Sequence, residues 1–233
     1  MFDVRRHRHV FDPEQFGMPV HIIGCGGMGS RVAEGLVRMG VGREGQSPIA
    51  LYDGDAFEPH NLSNQWVTIP HLYKQKVVAT RALMHEINPQ ASVVAYDAMV
   101  SGVMRLSGVV FICVDSMDAR RLIIDEVIED TRGITCVIET RMDAGVGVVH
   151  CFDPNDQNQL ACWRMYWFSD DEAENLAGCS GPQSIISAIY ATTAMALKQF
   201  EHFARRGSTG GMPNRVYQDF DSCIMHAEQW PTT

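Results

Sequence analysis

The twenty residues from Val20 to Met39 constrain this chain more than any others. VHIIG (Val20 to Gly24) is a short apolar run ending in glycine, the form of a buried strand. Gly24-Cys25-Gly26-Gly27-Met28-Gly29 follows and fits G-x-G-x-x-G. Apolar residues then fall at Val32, Leu36, Val37 and Met39, a helical stripe that stops at Gly40. After a polar connection, IALYD (Ile49 to Asp53) reads as a second strand, so the segment is a βαβ unit. Glycines at such a turn let the backbone approach a phosphate at the positive end of the helix, although they also serve a plain tight turn. With these flanking elements the phosphate reading is favoured, and Asp53 stands where a ribose-binding carboxylate belongs.

The alternation continues. Lys74 to Ile87 reads as a helix, ended by Asn88-Pro89. ASVVAY is a third strand and Gly108 to Asp115 a fourth; a helix follows from Met117, capped by Ser116, and ITCVIE (Ile134 to Glu139) is a fifth strand. GVGVVHCF lies too close behind the fifth strand for a helical crossover, so it is expected to pair antiparallel. The polar, partly acidic stretch from Asp153 to Gly178 reads as a loop or crossover over the sheet. Pro182 is expected to open a long helix to about Phe203, and RVYQDFDSCIMH to close the chain as one strand. The fold class is therefore α/β: a Rossmann-like mixed sheet with helices on both faces and antiparallel strands in the C-terminal part. At 233 residues one domain is expected, with residues 1–140 as the nucleotide-binding half and 141–233 as the antiparallel strands, crossover and long helix.

Charge and cysteine usage narrow the function classes. A net charge of −9 gives no general attraction for nucleic acid or anionic membrane. The longest uncharged run, Asn175 to Leu197, carries too many Gly, Ser and Thr for lipid. The N-terminus is basic without an apolar stretch behind it, so no signal peptide is expected. Seven cysteines without a Cys-x-x-Cys pair read as reduced thiols of a cytoplasmic protein, all core except Cys179. Cys179 precedes the long helix, whose N-terminus would lower its pKa, and is the candidate reactive thiol against a plain packing role. Met165, Trp163, Tyr166, Trp167 and Phe168 form an aromatic patch that either docks a partner's tail or packs on the sheet; Asp170, Asp171, Glu172 and Glu174 read as a solvated face.

The discriminating residues follow the second strand. Asp53 and Asp55 stand two apart, Asn61 and Asn64 lie in NLSNQ, and Lys76 opens the next helix, where an ammonium can reach phosphates. Asp115 ends the fourth strand beside the nucleotide crevice, a suitable magnesium ligand. Phosphate chemistry needs that lysine and carboxylate; hydride transfer to a nicotinamide cofactor does not, so an NAD-dependent oxidoreductase is the weaker alternative.

In these motifs the chain resembles the adenylating enzymes of molybdopterin and thiamin biosynthesis, the ThiF/MoeB-like family related to the ubiquitin-activating enzymes. The resemblance rests on the order of GCGGMGS, GVG after the first helix, LYDGD, NLSNQ, QKVVATRAL, INP at Ile87 to Pro89, CVDS at Cys113 to Ser116, RMD at Arg141, and an alanine-rich helix ending in Lys198. It implies a homodimer that binds ATP with Mg2+ and adenylates the C-terminal glycine carboxylate of a small ubiquitin-like or sulfur-carrier protein. Carried over, Gly24, Gly26, Gly27 and Gly29 would line the ATP, with Asp53 on the ribose and Asp55, Asn61, Asn64 and Ser116 beside the nucleotide. Lys76 would meet the phosphates and Asp115 the magnesium. Arg8 stands where the family has an arginine reaching the partner subunit's site, and some relatives take the acyl group onto a cysteine near the place of Cys179. Two departures stand out. Asn64 occupies the place of a phosphate-touching arginine, which leaves a catalytically weak nucleotide-binding and dimerisation partner as an alternative. The two Cys-x-x-Cys pairs of zinc-binding members are absent, so zinc is not expected.

Overall fold

The computed structural model describes residues 2–101, 104–129, 131–172 and 184–233. Its strands are β1 (Val20–Ile23), β2 (Ile49–Tyr52), β3 (Val93–Tyr96), β4 (Gly108–Ile112), β5 (Ile134–Asp143), β6 (Val146–Phe152), β7 (Arg215–Asp219) and β8 (Ile224–Glu228). They form one sheet in the order β3-β2-β1-β4-β5-β6-β7-β8. The pairings among β1 to β5 are parallel. From β5 through β8 every pairing is antiparallel, and for β5 and β6 the short spacing before GVGVVHCF requires it. Every residue of β1, β2 and β4 is buried, which is why these strands read as unbroken apolar runs.

The helices are α1 (Gly27–Met39), α2 (Lys76–Ile87), α3 (Met117–Ile123, continued by a wider turn to Ile128), α4 (Gln157–Met165) and α5 (Ile186–Arg206). Val32, Leu36 and Val37 of α1, Val77 and Met84 of α2, and Ile189 and Phe200 of α5 pack with Ile22, Leu51, Phe111 and Ile138 of the sheet. A second cluster joins Ile123, Ile124 and Val127 to Leu160, Trp163, Ile23, Val110, Ile112 and Phe152. The central strands are thus covered on both faces, and alternate residues of β1, β2 and β4 serve alternate cores.

Four expectations are corrected. The crossover is not irregular throughout: α4 forms because Asp156 accepts the backbone N–H groups of Asn158 and Gln159 and the helix buries Leu160 and Trp163. The C-terminal strand is a hairpin, β7 and β8, reversed after Asp219, whose Oδ1 accepts the Ser222 N–H, with Cys223 at φ 57°. The fourth strand stops at Ile112, so Asp115 lies beyond it in a turn. Helix α2 starts at Lys76 rather than Lys74, after Tyr73 breaks the path at φ 64°. Pro182 lies outside the described residues; among those described, α5 begins at Ile186. No helix among the described residues is long and apolar enough to cross a membrane.

The cysteines divide by exposure. Cys25, Cys113, Cys136 and Cys151 are buried, Cys162 is half-buried, and Cys223 is exposed on the hairpin turn rather than in the core. Cys179 lies outside the described residues. Burial pushes the Cys113 thiol up to about 12 and the Cys25 thiol well above its ordinary value. Titrating the native protein with a thiol reagent should therefore label Cys223 ahead of those two, and Cys223→Ser should remove one fast equivalent. Labelling of Cys25 at the same rate would contradict the packing described.

Candidate functional site

The chain leaves β1 for β2 on one side, while β4 flanks β1 on the other, so the C-terminal ends of β1 and β4 border a switch point in the strand order. Open α/β sheets bind ligands at such a crevice. The glycine turn leaves β1 there, Asp53 follows β2, and Asp115 follows β4.

The glycine turn is shaped by close approaches. Gly24 has φ +88°, and a Cβ on it would come within 2.9 Å of the Cys113 carbonyl group. A Cβ on Gly29 would overlap the Gly24 carbonyl oxygen. Gly27 packs under Ile189 and the Asn64 carbonyl, whereas a Cβ on Gly26 would meet only Gln65 Nε2, at 3.9 Å. The open space over Gly26, at the N-terminus of α1, suits an anion.

Asp53 ties this turn to the next element. Its Oδ2 accepts the Cys25 N–H at 2.7 Å and its Oδ1 the Asp55 N–H at 2.9 Å. Burial pushes its carboxyl up, against the pull of those two N–H groups and of Lys76. Lys76 Nζ lies 2.8 Å from Asp55 Oδ2 and 4.0 Å from Asp53 Oδ1. The lysine at the first position of α2 is thus held at the crevice by two carboxylates.

The two asparagines have different tasks. Asn61 is buried, and its Oδ1 accepts the Glu58 N–H at 2.8 Å, closing a capping box on the short turn Pro59–Ser63. Asn64 Nδ2 donates to Ser184 Oγ at 3.1 Å, linking this loop to the segment that enters α5.

Asp115 is exposed and forms no hydrogen bond or ion pair among the described residues, but the turn carrying it is fixed. Ser116 caps α3 as expected, accepting the Ala119 N–H at 2.9 Å, and its hydroxyl donates to Asp170 Oδ2 at 2.7 Å. Asp170 Oδ1 also accepts the Met117 N–H at 2.6 Å. Asp170 is therefore a clamp on this turn and not simply part of a solvated face. The aromatic patch packs in the main: Trp163 is buried, Trp167 donates to the Met117 carbonyl, and Tyr166 donates to Glu228, while Met165 is exposed. Arg8 joins none of this within one chain; it pairs with Asp12 and Glu14.

Sequence reasoning missed a buried hub. Glu139, at the level of Ile112, is fully buried. Its carboxylate lies 3.2 Å from Arg120 Nε, 2.8 Å from Arg141 Nε and 2.6 Å from His150 Nδ1. Burial would raise its carboxyl, but Arg141, the His150 hydrogen bond and Arg120 hold it well below the usual range. The one available signal was a glutamate inside the apolar strand ITCVIET.

The residues present fit a nucleotide with a magnesium ion: an uncommitted carboxylate after β4 for a hard cation, an open glycine position after β1, and a lysine held by the carboxylates that follow β2. Comparison with known proteins agrees in fold and sequence. The chain is 28% identical over 167 residues to the adenylyltransferase and sulfurtransferase MOCS3 of Sus scrofa, covering 69% of this chain and 34% of that protein. It is 30% identical over 120 residues to ubiquitin-like modifier-activating enzyme 5 of Bombyx mori, covering 45% and 29%. The chain thus spans about a third of the length of these curated relatives. The crystal structure of E. coli MccB with ATP matches at a TM-score of 0.74 and 17% identity, over 98% of this chain and 71% of that one. Residues 16–203 match the model of the ThiF family, and the chain belongs to that family.

Proposed function

We propose that this protein is an ATP-dependent adenylyltransferase that activates a carboxylate, the C-terminal glycine of a small ubiquitin-like or sulfur-carrier protein, as an acyl adenylate. The observation that carries this reading is Lys76, held beside the glycine turn by Asp53 and Asp55 while Asp115 stands uncommitted at the neighbouring strand end. The names of MOCS3 and ubiquitin-like modifier-activating enzyme 5 support the class of reaction and of partner.

A terminal carboxylate has a pKa near ~3.5, so it is an ionised nucleophile at neutral pH and needs no general base. One of its oxygens attacks the α-phosphorus; the bond to the bridging oxygen breaks, and the electron pair leaves with pyrophosphate. The difficulty is bringing an anion to a polyanion. The backbone N–H groups of the glycine turn would receive phosphate oxygens, and Lys76 would turn from Asp55 to the phosphates. Asp115 would hold a magnesium ion, which neutralises phosphate charge when bound. Arg8 would act from the second copy of a homodimer, offsetting the arginine replaced by Asn64.

The test is thermal stability with Mg-ATP, with ATP plus EDTA, and with NAD, for wild type and Asp115→Ala. A ligand at about a hundred times its dissociation constant should add about 2.7 kcal/mol. Stabilisation by Mg-ATP that Asp115→Ala removes is the expected result. A response to NAD alone would overturn the reading in favour of an oxidoreductase.

A further inference from the structure

The buried hub and the turn that carries Asp115 are joined by one side chain. Arg120, on α3, is 5% exposed; its Nε faces Glu139 Oε1 at 3.2 Å, and its Nη2 donates to the carbonyl of Val114. Val114 is the residue immediately before Asp115. On the other side, Asp170 holds Ser116 Oγ and the Met117 N–H. The backbone is thus pinned before and after Asp115 while the Asp115 side chain makes no bond of its own among the described residues.

An ion cluster in a core is often no more stable than apolar residues of the same volume. What apolar residues do not provide is a guanidinium that meets a carboxylate on one edge and a backbone carbonyl on another. Glu139 also receives Arg141 and His150, so its own position is set by three partners from β5, β6 and α3. Its orientation is in turn passed to the turn through Arg120.

We propose that Glu139 is a positioning residue for the Asp115 metal site, acting through Arg120 and the Val114 carbonyl. This rests on the reading of Asp115 as the magnesium ligand. Partners of metal ligands typically change metal affinity about 10- to 100-fold when removed.

The experiment is calorimetric titration of ATP, with magnesium and with EDTA, into wild type, Glu139→Gln, Arg120→Lys, Asp115→Ala and the Glu139→Gln/Asp115→Ala double variant. Glu139→Gln and Arg120→Lys should each reduce the magnesium-dependent gain in ATP affinity about tenfold or more and leave binding in EDTA unchanged. In the Asp115→Ala background Glu139→Gln should add nothing. A folded variant that keeps the full magnesium-dependent gain overturns the proposal, as does equal weakening in EDTA or an undiminished effect without Asp115. Arg120→Lys keeps the charge beside Glu139 and serves if Glu139→Gln does not fold; failure of both to fold would make the cluster a fold determinant and also overturn it. A wild type with no magnesium-dependent gain would instead withdraw the Asp115 reading itself.

Discussion

Glu139→Leu should destabilise the protein by about 3–5 kcal/mol, because it leaves Arg120 and Arg141 in the core without their shared carboxylate. Domains of this kind are stable by only about 5–15 kcal/mol, so the urea midpoint should fall by a large fraction of its value. The loss belongs to the unpaired charges rather than to the volume change. Adding Arg120→Met to Glu139→Leu should therefore restore part of the stability, and the two changes should be non-additive. A loss below about 1 kcal/mol would mean that the arginines reach water in the variant and that the burial described here is not rigid.

The same hub gives the protein a defined response to acid. Glu139 is held below its ordinary value, so the unfolded chain takes up a proton that the folded chain refuses. Its contribution is complete above the unfolded value of about 4.5 and is lost as pH falls below it. His150 works in the same direction from a higher pH: burial lowers it against the pull of Glu139, so folding disfavours its protonation and stability declines as pH falls below about 6.5. Asp53 has the opposite sign, since burial raises it and its ionisation costs stability as pH rises past about 3.8. Denaturation curves between pH 7 and 3 should show stability falling steadily, and Glu139→Gln should flatten the part below about 4.5. A profile that rises toward acid would show Asp53 dominating the hub.

What could be read from the sequence follows from how each feature is encoded. Strands β1, β2 and β4 are buried on both faces and appear as local apolar runs, and the glycine turn between β1 and α1 is contiguous. Asp53, Lys76 and Asp115 were legible because each stands at an element boundary, and the strand order then brings those boundaries to one crevice. The missed features depend on distant partners. Asp170 holds a turn 53 residues away, and Glu139 meets Arg120 from α3 and His150 from β6. Helix α4 buries few apolar residues, so its periodicity was faint, although Asp156 was a visible cap. The hairpin after Asp219 was hidden because both arms carry strand-like residues and the turn, Phe220 to Cys223, contains no glycine or proline.

The second large effect should come from Lys76→Ala, which should slow ATP–pyrophosphate exchange, driven by a small carrier protein ending in Gly-Gly, by about 10²–10³-fold. Two roles compete for this side chain. As a strut it neutralises Asp53 and Asp55, and its removal would bring two carboxylates into repulsion and lower stability. As a phosphate ligand it would leave Asp55 when ATP binds and strengthen its contact as charge develops on the leaving pyrophosphate. The second role predicts a fall in kcat larger than the rise in KM for ATP, with little change in melting temperature of the unliganded protein. Lys76→Ala/Asp55→Asn separates them: relieving the carboxylate repulsion should restore any lost stability and leave exchange as slow as in Lys76→Ala. If the double variant recovers its rate, the lysine is a strut, and the cation for the phosphates has to be sought on another residue, with Arg8 of a second copy the first to replace.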